Sequence, residues 1–208
     1  MIYLLIGKEN TLKKEFIRDL RNRLFPSPSG AELNFQEFSV ENHSIGEVMD
    51  FVTMAPFLSE KRMAVYWGID ELEDDQKKSL PAALARLTAT GLLVLVSEET
   101  NAKKSRFLNE LSEKAKLVPC HAPFEKDLPS WIQGRAKKSG CQVDREAVPH
   151  LVERAGKDIA SLSSALEELS VYIHPRTTIT ALDVQKLLGP SAQEDVFKLV
   201  DLLLAGDR

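Results

Sequence analysis

The stretch that most constrains the fold is Met1 to Lys14, a buried strand that runs into a helix at a glycine. Ile2, Tyr3, Leu4, Leu5 and Ile6 form an unbroken run of β-formers, the pattern of a strand covered on both faces in a parallel sheet. Gly7 ends it. From Asn10 the period changes: Leu12, Phe16, Ile17, Leu20 and Leu24 recur at three- and four-residue intervals with charged residues opposite, which predicts an amphipathic helix. A nucleotide-binding α/β protein places its phosphate loop at such a junction. On the template GxxxxGK(S/T), Gly7 and Lys13 keep the first glycine and the lysine, but Leu12 stands at the second glycine and Lys14 at the hydroxyl. The second glycine lets backbone N–H groups curl round the phosphates and the hydroxyl ligates Mg²⁺, so both functions are lost. The stretch reads as a nucleotide-binding architecture that has given up its nucleotide, or as an ordinary βα unit.

The chain then alternates strand and helix. Phe25 to Gly30, with Pro26 and Pro28, predicts a loop, and Leu33 to Phe38 a short strand. Ser44 with Glu47 three residues on predicts a capping box opening a helix with Ile45, Val48, Met49 and Val52 inward, which Pro56 should end. Arg62 to Ile69 predicts a strand, Asp74 to Leu87 a helix, Leu92 to Val96 a second all-apolar strand, Asn101 to Leu111 a helix and Lys116 to Cys120 a last strand. This spacing predicts a three-layer α/β domain with a mainly parallel sheet over residues 1–123.

After Pro123 no strand is expected. Helices are predicted from Asp127 to Gly140, from an Asp144 cap to Gly156, from Ile159 to Tyr172 and from Thr180 through Leu187, a small all-α bundle over residues 124–190. Val196 to Ala205 predicts one more amphipathic helix, taken with residues 191–208 as the start of a third, truncated domain.

Composition narrows the function. No apolar run approaches the roughly 20 residues that span a bilayer, which points to a cytoplasmic protein without membrane contact. The two cysteines, Cys120 and Cys141, lack metal-ligand spacing, and the four histidines are scattered, so no metal site, catalytic residue or cofactor is expected. A net charge of −4 argues against wrapping DNA with the whole surface, while 27 Lys and Arg leave room for a local basic patch. Lys103, Lys104 and Arg106, with Arg135, Lys137 and Lys138, are candidates for phosphate contact or a solvated helix face. In Met54-Ala55-Pro56-Phe57-Leu58, large apolar groups precede the polar run Ser59-Glu60-Lys61-Arg62, the anatomy of a protein-binding anchor; the alternative is a patch of core over the sheet edge.

A sheet domain with a phosphate-loop position followed by a helical lid is similar to the AAA+ module. Particular segments resemble the delta subunit of the bacterial DNA polymerase III clamp loader: Tyr3 to Gly7, Pro56 to Arg62, Leu92 to Val96 with Lys103 to Phe107, Leu128 to Ile132, Gly156 to Ile159 with Leu166 to Leu169, and Val196 to Leu199. The resemblance implies that Met54, Pro56, Phe57 and Leu58 form a wedge that enters a pocket of the ring-shaped sliding clamp (beta) and opens it without covalent chemistry. It implies as further partners the tau/gamma and delta-prime subunits and primer–template DNA, within a nucleotidyltransferase holoenzyme. Asp70-Glu71 stand near the place where an active ATPase keeps its Mg²⁺ and water-polarising acids, or are simply helix-start charges. Ala160 falls where active members keep a γ-phosphate arginine, and Phe107 departs from the Ser-Arg-Cys finger of partner subunits, so no finger is assigned. An active ATPase with a divergent loop, and an adaptor of the same fold for other partners, remain as alternatives.

Overall fold

A computed structural model describes residues 1–189. They form two compact units, one over Met1–Ala122 and one beginning at Pro123. The first contains, in chain order, β1 (Ile2–Ile6), α1 (Asn10–Leu24), α2 (Pro28–Asn34), β2 (Phe35–Ser39), α3 (Ile45–Thr53), β3 (Arg62–Trp67), α4 (Asp74–Leu84), β4 (Gly91–Ser97), α5 (Arg106–Lys114) and β5 (Lys116–Pro119). The strands make one sheet in the order β2-β3-β4-β1-β5, with every neighbouring pair parallel.

The unbroken apolar runs of β1, β3 and β4 follow from burial on both faces. Successive side chains alternate between faces. Leu4, Ile6, Ala64, Tyr66, Leu93 and Leu95 join Val48, Met49 and Val52 of α3, Leu80 and Leu84 of α4, and Leu108 and Leu111 of α5 in one cluster. Leu5, Met63, Val65, Leu92, Val94 and Val96 join Ile17 and Leu20 of α1 and Ala31 of α2 in the other. Each Leu, Ile, Val or Met among them contributes roughly 1.5–3 kcal/mol of burial, so a polar residue at any of these strand positions would break a layer. The edge strand β5 differs: Lys116 and Leu117 are exposed, and Pro119 limits further pairing.

Several boundaries depart from expectation. The loop expected over Phe25–Gly30 gives way to α2, because Pro28 sits at its first turn, where a missing N–H costs nothing, and Ser27 Oγ caps it by accepting from the Gly30 N–H at 3.3 Å. The strand expected from Leu33 therefore starts at Phe35. β3 stops at Trp67, not Ile69, since Gly68 turns the chain at φ +77°. The helix after Asp74 ends at Leu84, three residues early, and the helix expected over Asn101–Leu111 is divided: a 3₁₀ turn at Ala102–Lys104 precedes α5, which Ser105 caps.

The second unit contains α6 (Leu128–Lys138), β6 (Gln142–Val143), α7 (Ala147–Ala155), α8 (Ile159–Tyr172), β7 (Thr178–Ile179) and α9 (Ala181–Leu188). Ile132, Leu151, Leu162, Leu166, Leu169 and Val184 are its buried centre. Asp144 does not cap α7 with its side chain; its carbonyl accepts from the Ala147 N–H at 2.9 Å. Where no strand was expected, β6 and β7 pair in parallel over two residues each. Thr180 and Asp183 form a capping box on α9, and Asp183 also binds the Arg176 guanidinium at 2.7 and 3.1 Å. The expected helix over 196–205, and the domain over 191–208, lie outside the described residues. Among the described residues no helix is long and apolar enough to cross a membrane.

Candidate functional site

The segment between α3 and β3 carries the most exposed apolar surface of the first unit. α3 opens on its capping box, with the Glu47 N–H donating to Ser44 Oγ at 3.3 Å and the Ser44 N–H to Glu47 Oε2 at 2.7 Å. Its buried stripe of Val48, Met49 and Val52 fixes the helix on the sheet. The helix ends at Thr53, earlier than Pro56 alone requires, and Met54 is already extended at φ −61°, ψ 145°. Met54 and Phe57 are each 56% exposed and Leu58 is 88% exposed. The reading of these residues as core over the sheet edge is thus not what the structure shows, and Pro56, between Met54 and Phe57, is half-buried.

This tip is held from below. Asn34, the last residue of α2 and fully buried, accepts from the Phe57 N–H through Oδ1 and donates to the Phe57 carbonyl through Nδ2, both at 2.8 Å. Arg62, the buried first residue of β3, donates to Met54 Sδ at 3.0 Å and to the Leu33 carbonyl at 3.1 Å, and lies 4.8 Å from the centre of the Phe51 ring. Leu58 takes the left-handed conformation at φ +51°, which costs a branched side chain about 1 kcal/mol. Sequence reasoning missed Asn34 and Arg62 as supports. No local signal marked them, since Asn34 stands in a stretch that also carries Gln36 and Glu37.

The phosphate-loop position lies at the opposite, carboxyl edge of the sheet. Only Gly7, Lys8 and Glu9 separate β1 from α1, which begins at Asn10, two residues before Leu12. The Glu9 N–H donates to the Cys120 carbonyl at 3.1 Å, so this backbone donor is turned to β5 and not to a ligand. Lys13 is buried, its Nζ donating to Asn10 Oδ1 at 3.2 Å; desolvation holds its pKa below the usual lysine value, opposed by Glu98, Cys120 and Asp70. Burial pushes the neighbouring Cys120 thiol up to about 11. Lys14 is exposed and Leu12 half-buried. The Asp70 carboxylate is bound to the end of β4, accepting from Ser97 Oγ at 2.7 Å and the Glu98 N–H at 2.6 Å. A cleft of about 470 Å³ opens here, lined by Lys13 and Lys14 but also by Glu37, Glu41, Asp70, Glu71 and Glu98. Its surplus of carboxylates is the wrong sign for a triphosphate.

The basic candidates separate. Lys103, Lys104 and Arg106 are all exposed, on the 3₁₀ turn and the first residue of α5. Arg135 is buried on α6 and paired with Glu167 of α8 at 2.7 Å, so it belongs to the packing of the second unit. Among the described residues no group of three or more potential metal ligands comes together.

The sequence profile of the family described as "DNA polymerase III, delta subunit" matches residues 3–121. The chain belongs to that family. The delta subunit of Bacillus subtilis is 21% identical over 212 residues, covering 98% of this chain and 61% of that protein, and the delta subunit of Escherichia coli is 29% identical over 128 residues, covering 58% of this chain and 37% of that protein. The chain therefore spans less than two thirds of the length of either of these delta subunits. The solved Bacillus subtilis DNA clamp loader delta protein shares the fold, with a TM-score of 0.80 at 20% identity over 96% of this chain and 61% of that one. In this delta-family chain, the exposed Phe57–Leu58 tip and the acidic cleft occupy the two ends of one sheet.

Proposed function

We propose that this chain engages and opens a sliding clamp by inserting the Phe57–Leu58 tip, with Met54 and Pro56 beside it, into an apolar pocket of the ring, and that it hydrolyses no ATP. The observation that carries this reading is the tip itself: two large apolar side chains exposed on a pinned backbone beside a polar rim. Burying the pair stabilises a complex by roughly 1.5–3 kcal/mol per side chain, of the order needed to favour one conformation of a ring interface. Family membership supplies the context: assembly with the tau/gamma and delta-prime subunits, the beta clamp and primer–template DNA in the cytoplasm, with Lys103, Lys104 and Arg106 toward DNA. The short junction at Gly7, the buried Lys13, the engaged Asp70 and the acidic cleft support the absence of nucleotide chemistry.

The test is binding of the chain to the sliding clamp of its own organism, for the wild type and for Phe57→Ala with Leu58→Ala, the fold checked by circular dichroism. Loss of binding with the fold kept is the expected result. Equal binding by both proteins moves the interface off the tip, and no binding by the wild type overturns the clamp reading.

A further inference from the structure

We infer that Asn34 is the positioning residue of the apolar tip: its side-chain amide sets the Phe57 backbone, so that Phe57 and Leu58 are presented in their binding conformation before a partner arrives. This inference rests on the reading of the tip as a clamp-binding element.

An asparagine amide offers two donor hydrogens and one acceptor oxygen, the same polarity as a peptide group. At position 34 both donors and the oxygen are engaged: Oδ1 takes the Phe57 N–H, and Nδ2 serves both the Phe57 and the Gly30 carbonyls, the latter at 2.9 Å. The Gly30 bond lies within α2 and fixes which way the amide faces; reversing it would set an NH₂ against an N–H and an oxygen against two carbonyls. The two bonds to Phe57 reproduce the two-point pairing of neighbouring strands across 23 residues of sequence. No other side chain of this size supplies one acceptor and two donors at these places. Aspartate lacks the donors, and leucine lacks both.

The rest of the segment shows what this pairing sustains. Leu58, directly after the pinned residue, is held left-handed and almost wholly exposed, a conformation that a free loop would leave. The flank at Met54 is fixed from the same helix end, through the Leu33 carbonyl and Arg62. An apolar anchor ordered in advance avoids the ordering cost on binding. If the binding-competent tip is only a fraction of the population, affinity falls by that fraction.

The experiment pairs a measurement without the clamp with one that uses it. In Asn34→Ala, hydrogen exchange at the Phe57 amide is expected to quicken about ten-fold or more while the amides of β3 and β4 keep their protection. Clamp affinity is expected to fall by about ten-fold, and the same change placed in a Phe57→Ala background is expected to cost less, because only Leu58 is then left for the pinned backbone to present. Asn34→Ser, which leaves room for water beside the Phe57 groups, is the second variant should alanine at this buried site fail to fold. Unchanged exchange at Phe57 overturns the inference, as does an equal loss of affinity in both backgrounds, the mark of a merely structural role. Quickened exchange with unchanged clamp affinity overturns the link to binding. Failure of the wild type to bind any clamp refutes the functional reading separately, since the exchange measurement involves no clamp.

Discussion

A Cβ added to Gly7 would lie 2.0 Å from the carbonyl oxygen of Cys120. The two residues sit where β1 and β5 end side by side, with the Cys120 N–H bonded to the Ile6 carbonyl at 2.6 Å. Gly7 also holds φ +131°, open in practice to glycine alone. Gly7→Ala is therefore expected to destabilise the first unit by about 3 kcal/mol, from backbone strain and overpacking together. Chemical denaturation followed by circular dichroism measures it, and a loss under about 1 kcal/mol would mean that the junction yields easily.

Restoring the template letters should not restore a nucleotide site. Leu12→Gly with Lys14→Thr completes GxxxxGK(S/T) on paper, but α1 still starts at Asn10 and the Glu9 N–H still faces Cys120. Millimolar Mg-ATP is expected to leave the thermal midpoint of the wild type and of the double variant unchanged. A ligand at ~100 times its Kd stabilises by about 2.7 kcal/mol, so a rise of several degrees in either protein would speak against this account.

Leu58 sets stability against binding. Leu58→Gly relieves the left-handed backbone at φ +51°, and is expected to hold stability level or raise it by up to about 0.5 kcal/mol after the larger unfolded-state entropy of glycine is counted. The same change removes an exposed apolar side chain from the tip, and clamp affinity is expected to fall about ten-fold or more. Thermal unfolding and clamp binding on one sample check both directions.

Asp183 makes the second unit sensitive to acid. The Arg176 guanidinium, with the Thr180 N–H at 2.9 Å and hydroxyl at 2.7 Å, holds its carboxyl well below the usual range. A depressed folded-state pKa means that the unfolded chain takes up the proton first. The stabilisation is then complete above about pH 4 and is lost as pH falls from there toward the folded value. Asp183→Asn is expected to cost about 2 kcal/mol at pH 7 through the lost ion pair and cap. The gap to the wild type should narrow steadily as pH falls below about 4; a constant difference from pH 7 to pH 2 would rule out the ionised carboxylate as the cause.

The sequence exposed most plainly what is repeated along it. β1, β3 and β4 declare themselves because both faces are buried, so no polar residue interrupts them. The Ser44/Glu47 capping box is local and equally legible, as is Thr180 at the start of α9, whereas the part of Asp183 in that cap was not read from the sequence. α2 was hidden because Pro28 and Gly30 look like breakers until Pro28 is seen at a helix start. β6 and β7 are too short to show a period. The tip showed as apolar letters beside charged ones, but its supports come from 23 residues upstream, in Asn34, and from a guanidinium shared between Leu33 and Met54. Such long-range pairings leave no local pattern.

β3 also acts as a spacer. The tip segment enters its first residue, Arg62, while Trp67 at its other end passes into the turn that carries Asp70. Six residues at about 3.3 Å each put roughly 20 Å of rigid, doubly buried strand between the apolar tip and the acidic cleft. Substitutions at the two ends share no partner and lie beyond the range over which mutational effects ordinarily couple, so their free energies should add. The sheet thus works as insulation: a substitution at the carboxyl edge that leaves the unit folded does not reach the surface presented at the amino edge.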